Sequence, residues 1–374
     1  MRFVHLFIVI ALSLGLGWGL GCSSKTGEIP ADESDQIPAT SDSSVPDSVQ
    51  TTSTTLPFFY AIHLHLGNDR LPYDSKLMKE DELNADKAEN MLAIVNAIKA
   101  VADKHGLPID WQPTVGPAKG FCVHQGSNHV FKQLLADGHG VGIHAHNAED
   151  LEPTFTYLRE DCGLDVSQIT TASGYQAFLK DSKGPMRVTQ FTDAVTLVSG
   201  LGIGVGTSNI APYDDGTHDM APVCTSSWGD NTDAWKVTDN LLLPWKPDIA
   251  NKVPCDHDPK GEFVMVDHSG PEWMVTEAGK ANSVRNEHFD QLRVHFDAAL
   301  DEVAKGTDGK IPAWGFVTHI SEFTLDNNAD GPPDQVALEA LDTFLTYVSA
   351  KRDAGLVEFA LASHIAERAY PDNN

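Results

Sequence analysis

From residue 57 onward the chain alternates short apolar runs with amphipathic stretches, and few folds accept that tempo. "FFYAIHLHLG" (58–67) reads as a strand, and "ADKAENMLAIVNAIKAVADKHG" (85–106) as a helix with Gly106 as its stop. "PIDWQPTVG" is a weak strand, "NHVFKQLLADGHG" a helix ending at glycine, and "VGIHAHN" a further strand. "PTFTYLREDCG" gives a helix, "QITTASGYQ" a strand or loop, "RVTQFTDAVTLVSGLG" a helix, and "IGVGTSN" a strand. After a break come "NEHFDQLRVHFDAALDEVAKG" as helix, "PAWGFVTHISE" as strand, "DQVALEALDTFLTYVSAKRDAG" as helix and "VEFALASHIAE" as a final strand. Strands separated by helices at this spacing predict an α/β fold with a parallel sheet and crossover helices. Residues 57–374 suit one α/β barrel with insertions.

The break spans 211–272, a stretch rich in Asp, Pro, Gly and Trp that carries Cys224 and Cys255. It is expected to form a long, disulfide-stapled excursion over one face of the barrel, where such loops shape binding sites. With Cys122 and Cys162 the folded part holds four cysteines, which allow three pairings. Neighbour pairing, Cys122–Cys162 and Cys224–Cys255, is the simplest, and no C-x-x-C spacing supports a cysteine zinc site. Ahead of the fold, residues 1–22 have a basic start, an apolar run and the ending "LGC", a lipoprotein-type export signal. A lipid on Cys22 would anchor the chain to a membrane, and Ser23 after it favours an outer-membrane or cell-surface address. Residues 23–56 are Ser, Thr, Asp and Pro with little to bury, the composition of a flexible tether. With 53 acidic against 26 basic residues, the net charge of −27 argues against nucleic acid as a partner.

Chemistry gathers in the histidines. In a strand alternate side chains share a face, so His144 and His146 in "GVGIHAHN" point the same way. "AIHLHLGND" repeats the device with His63 and His65. Two His-x-His pairs at strand ends are hard to account for by packing, and imidazole is the commonest metal-ligand side chain. His63, His65, His144 and His146 are therefore the expected ligands of one divalent ion, zinc first, at the C-terminal ends of barrel strands. Asp69 follows the first pair, Glu149 and Asp150 the second, and His319 ends the strand "GFVTHISEF" with Glu322 close by. Asp69 and Asp150 read either as members of the site or as helix caps and solvated loop residues, and His319 reads as a site residue. His139 reads as a helix-end residue favoured by the dipole, and the pair Asp267 and His268 as a cap or a rim contact. "DNNADG" places oxygens at Asp326, Asn328 and Asp330 as a calcium loop does, but Ala337 stands where its closing acid belongs. The glycines of "GLGIGVG" lead into a loop, which argues against a dinucleotide site, and no G-x-S-x-G elbow occurs.

These residues in this order resemble the polysaccharide deacetylase (NodB-homology) family. "VFKQLLADGHGVGIHAHN" is similar to that family's second motif, "GFVTHISE" to the strand ending in its late histidine, and the last helix and strand to its closing elements. The resemblance implies a deformed (β/α)7 barrel and metal-dependent removal of acetyl groups from a glycan. It also implies that His144 and, two residues on, His146 are metal ligands, and that His319 protonates the leaving group. The chain departs from the pattern at the first motif, where "HLHLG" replaces two aspartates, and it lacks the arginine-proline motif of the third strand. The departures keep two alternatives open: a non-catalytic glycan-binding or structural lipoprotein, and a metallohydrolase of amidohydrolase type.

Overall fold

The computed structural model describes residues 55–64, 83–145, 148–174, 188–207, 236–238, 241–251, 253–266, 286–307, 309–325 and 328–371. The expected signal segment with Cys22, and the expected tether up to residue 54, lie outside the described residues. Strand β1 (Leu56–Leu64) is buried along its whole length, as a strand in a sheet covered on both faces must be. Its even-numbered residues, among them Phe58, Tyr60 and Ile62, join the main core under the helices. Phe59 faces the opposite way into a second, smaller cluster inside the curled sheet.

Around it run α1 (Ala85–His105), β2 (Ile109–Pro113), α2 (Val115–Gln125), α3 (Val130–Ala136), β3 (Gly140–His144) and α4 (Ala148–Thr156). Next come β4 (Ile169–Ser173), α5 (Val188–Gly200) and β5 (Val205–Gly206). Then follow β6 (Lys236–Thr238), β7 (Leu241–Leu242), β8 (Pro247–Asp248), β9 (Val253–His257) and β10 (Val264–Met265). The chain closes with α6 (Asn286–Lys305), β11 (Trp314–His319), α7 (Gln335–Asp353), β12 (Val357–Phe359) and α8 (Ala362–Ala369).

Seven strands form one sheet in the order β10-β5-β4-β3-β2-β1-β11, with β12 added beside β1. The pairings of this sheet are parallel. Side chains from β10, β1 and α8 meet in the inner cluster, so the sheet curls into a barrel, and β10 and β11 are not hydrogen-bonded to each other among the described residues. This is the deformed seven-stranded α/β barrel that the resemblance implies.

Three local differences have physical causes. The 211–272 range is broken by two small antiparallel pairs, β6–β7 and β8–β9, and its last part returns to the barrel as β10, bonded to β5. The expected last strand is only three residues long. Its continuation is helix α8, because Ala362, Ile365 and Ala366 recur at helical spacing and fill the inner cluster. Helix α2 lies where no element is expected, since its residues include Gly116, Pro117 and Gly120. A Cβ on Gly120 would fall within 2.7 Å of Leu83 side-chain atoms, so glycine is what lets α2 sit this close. Cys122 on α2 is disulfide-bonded to Cys162 just beyond α4, the expected first pair. Cys224 lies outside the described residues, and the side chain of Cys255 on β9 is not described.

Candidate functional site

With the strands parallel, their C-terminal ends share one rim, and lumen-facing residues alternate with helix-facing ones. On β1 the last lumen-facing position is His63. It is the register partner of His319 on β11 and of Gln112 on β2. On β3 the matching position is His144, paired with Ser173 on β4. Thr207, just past β5, extends the row through its backbone N–H, which donates to the Ala172 carbonyl. The register therefore sets three histidines, a glutamine, a serine and a threonine on one polar rim.

All of these side chains are buried. The rings of His63 and His144 stack at 3.7 Å between centroids, and His319 stands edge-on to His63 at 5.0 Å. His63 Nδ1 lies 3.4 Å from His319 Nε2. One ring nitrogen from each of the three histidines lies within 4.8 Å of the others. Ser173 Oγ sits between two of the rings, 2.8 Å from His144 Nδ1 and 3.2 Å from His63 Nε2, and its hydroxyl donates to Gln112 Oε1 at 2.6 Å. The Gln112 amide in turn donates to Thr171 Oγ1 at 3.0 Å and to Thr207 Oγ1 at 2.5 Å. Behind His319, a single turn of 3-10 helix (Ile320–Phe323) carries Glu322. Glu322 Oε2 accepts the His319 backbone N–H, and Oε1 lies 3.9 Å from His319 Nδ1.

Two further titratable groups flank the lumen wall. Asp110, one lumen-facing position below Gln112, is fully buried, and its Oδ2 accepts the Ala362 N–H at the start of α8. Burial pushes its carboxyl up to about 7, against a smaller opposing pull from that hydrogen bond. Tyr60, on the helix-facing side, bonds Thr318 Oγ1 at 2.6 Å, and burial holds its phenol well above the ordinary range.

Of the expected site residues, His63, His144 and His319 come together, with His319 as the third corner of the group. His65, His146 and Asp69 lie outside the described residues, as do Asp267 and His268. Glu149 is in the first turn of α4, and its side chain is not described. His139 is a structural pin rather than a dipole-stabilised helix end. Its Nδ1 accepts the Ile109 N–H, its Nε2 bonds Asp103 at 3.0 Å, and burial lowers its pKa. At the calcium-like turn Asp326 lies outside the described residues, the Asn328 carbonyl accepts the Gly331 N–H, and Asp330 is 4.0 Å from Lys87. The sulfurs near His129 are joined in the disulfide, so they offer no thiolate to a metal. Gln112, Ser173, Thr171 and Thr207 were not singled out by the motifs. The available signal was parity: Asp110 and Gln112, like Thr171 and Ser173, are polar residues two apart in strands otherwise fit for burial.

No family model matches the sequence, and no curated protein is similar to it. Solved structures are similar in fold. A Mycobacterium smegmatis protein assigned to the polysaccharide deacetylases superposes with a TM-score of 0.50 at 12% identity, over 86% of this chain and 92% of its own. The fold is that of a polysaccharide deacetylase. A Pseudomonas aeruginosa PAO1 protein assigned to the same class gives 0.49 at 15% identity, over 85% and 93% of the two chains. A PuuE allantoinase gives 0.48 at 13%, over 86% and 93%. On the deacetylase fold seen here, the three histidines occupy the rim at the strands' C-terminal ends, the place where barrels of this kind gather their functional side chains.

The histidine group fits a divalent ion. Buried imidazoles are donors that zinc and its neighbours accept, and a site with three protein ligands leaves a position open. Ser173 supplies the outer hydrogen bond that metal-bound histidines require on their other nitrogen.

Proposed function

We propose that the protein is a metal-dependent hydrolase that removes acetyl groups from a cell-surface or extracellular glycan. The observation that carries this reading is the convergence of His63, His144 and His319, from three separate strands, at the rim of a deacetylase fold. His63 and His144 would hold the ion, with His65 and His146 as further candidates and zinc as the first choice. Such an ion supplies Lewis-acid polarisation of an acyl oxygen and a bound water acidic enough to attack at neutral pH. His319, steadied by Glu322, would either complete the ligand set or return a proton to the leaving group. Asp69 and Glu149 are the candidates for the base. A lipid on Cys22 would hold the enzyme at the envelope, where its substrate is.

Protein purified from metal-replete medium is expected to carry about one zinc per chain by mass spectrometry. It is also expected to release acetate from an acetylated chito-oligosaccharide or xylan. A chelator or His144→Ala should lower that release by at least ~100-fold. Metal-free protein that binds these glycans without releasing acetate would overturn the reading. It would favour the non-catalytic lipoprotein, for which the replaced first-motif aspartates speak.

A further inference from the structure

We propose that Gln112 and Ser173 are positioning residues that choose which nitrogen of His63 and of His144 carries the hydrogen, and so which nitrogen each presents to the metal. The inference rests on the metal-site reading above and concerns residues that lie behind the imidazoles.

A glutamine amide has two N–H hydrogens on nitrogen and only lone pairs on oxygen. One end of Gln112 faces two hydroxyls, Thr171 and Thr207, and the other faces one, Ser173. Placing the nitrogen toward the two threonines gives each of its hydrogens an acceptor. The reverse placement would leave one N–H of a fully buried amide with nothing to donate to, at a cost of about 1–3 kcal/mol. The oxygen therefore faces Ser173 and accepts its hydroxyl hydrogen at 2.6 Å.

Ser173 has one hydrogen, and Gln112 takes it. Toward the rings its oxygen has only lone pairs, so each ring nitrogen facing it must be a donor: His144 Nδ1 at 2.8 Å and His63 Nε2 at 3.2 Å. A metal-ligand imidazole is neutral, with one N–H and one lone pair. The lone pairs then fall on His144 Nε2 and His63 Nδ1. For His144 this is the tautomer a free imidazole adopts less often, so it needs an external cause. Gly142 makes the arrangement possible, because a Cβ there would run into the Thr171 hydroxyl that anchors the amide. One hydroxyl thus sets two ligands, and one amide sets the hydroxyl.

The test is a nitrogen-15 long-range correlation spectrum of the metal-free full chain, which reads the protonated nitrogen of each histidine, followed by zinc titration. His144 is expected as the Nδ1–H form and His63 as the Nε2–H form. Ser173→Ala and Gln112→Met should both let His144 shift toward Nε2–H. Both should weaken zinc binding about 10- to 100-fold, the range for loss of an outer-sphere partner. Ser173→Thr, which keeps the hydroxyl, should restore the wild-type pattern. If Ser173→Ala does not fold, Gln112→Met carries the measurement alone. An Nε2–H form of His144 in the wild type, or no change in either variant, overturns the proposal. The expected tautomers with no zinc bound would uphold the relay and remove the metallohydrolase reading instead.

Discussion

Gly174 follows Ser173 with φ at +86°, a conformation that glycine adopts without strain. A Cβ on it would stand 2.5 Å from Cε1 of His144 and 2.6 Å from the Ala145 carbonyl oxygen. Gly174→Ala is therefore expected to tilt the His144 ring off its stack with His63, at about 1–3 kcal/mol of stability. Zinc affinity should fall with it, whereas Gly138→Ala, also at positive φ but with open space around it, should lower stability and leave affinity alone. Calorimetric titration beside thermal melts separates the two, and equal affinity losses would show that the ring position is not what Gly174 protects. At this scale the histidines were legible because two of them recur in an improbable pattern and the third ends an apolar strand. Gln112 and Ser173 were not, since a polar residue in a short strand is common and gains meaning only once the register places it behind an imidazole.

Among the elements, α1 was legible to the residue. Asn84 caps it by accepting the Lys87 N–H at 2.9 Å, and Gly106 ends it in the left-handed conformation. Helix α2 was hidden for the opposite reason: its glycines and proline argue against a helix, and tertiary packing overrides them. The Cys122–Cys162 bond, which closes a loop of 40 residues, ties this weak helix to the end of α4. Loop-closure entropy for that length gives at most about 4 kcal/mol. The double variant Cys122→Ala/Cys162→Ala should unfold at correspondingly lower urea, and a reductant should destabilise the wild type more than the variant, which keeps Cys224 and Cys255. A reductant effect of equal size in both would locate the sensitivity elsewhere. The short last strand and α8 were misjudged together, because "ALASHIAE" is apolar enough for either structure and only the barrel interior decides between them.

For the molecule as a whole, α8 packs into the barrel interior and starts from a hydrogen bond to Asp110 on β2. The Asp110 carboxyl titrates at about 7 in the fold, against 3.8 as its ordinary value. A carboxyl raised on folding favours the protonated native state, so its stability contribution is whole below about pH 4 and lost as pH rises through 7. The difference corresponds to about 4 kcal/mol. Asp110→Asn keeps an acceptor for Ala362 without the charge. It should flatten the fall in urea midpoint between pH 4 and 7, and an unchanged slope would mean that other groups set it. His129 and His139, whose pKa values burial lowers, act in the reverse sense as pH drops and are common to both proteins. The α/β class with a parallel sheet was readable from the alternation, yet the barrel's floor was not, because nothing local marks Asp110 as the anchor of a helix some 250 residues away.

Within the lumen, Phe59 lies against Gly315, so close that any side chain at 315 would meet its ring. That fit works as a vernier between β1 and β11. Both strands are buried throughout, and greasiness by itself would tolerate sliding one past the other by a step. The ring in its notch forbids the step, and it thereby keeps His63 level with His319 four residues further along. Enlarging Gly315 is thus a way to misalign the histidine pair from the opposite end of the strand, without altering any residue at the rim.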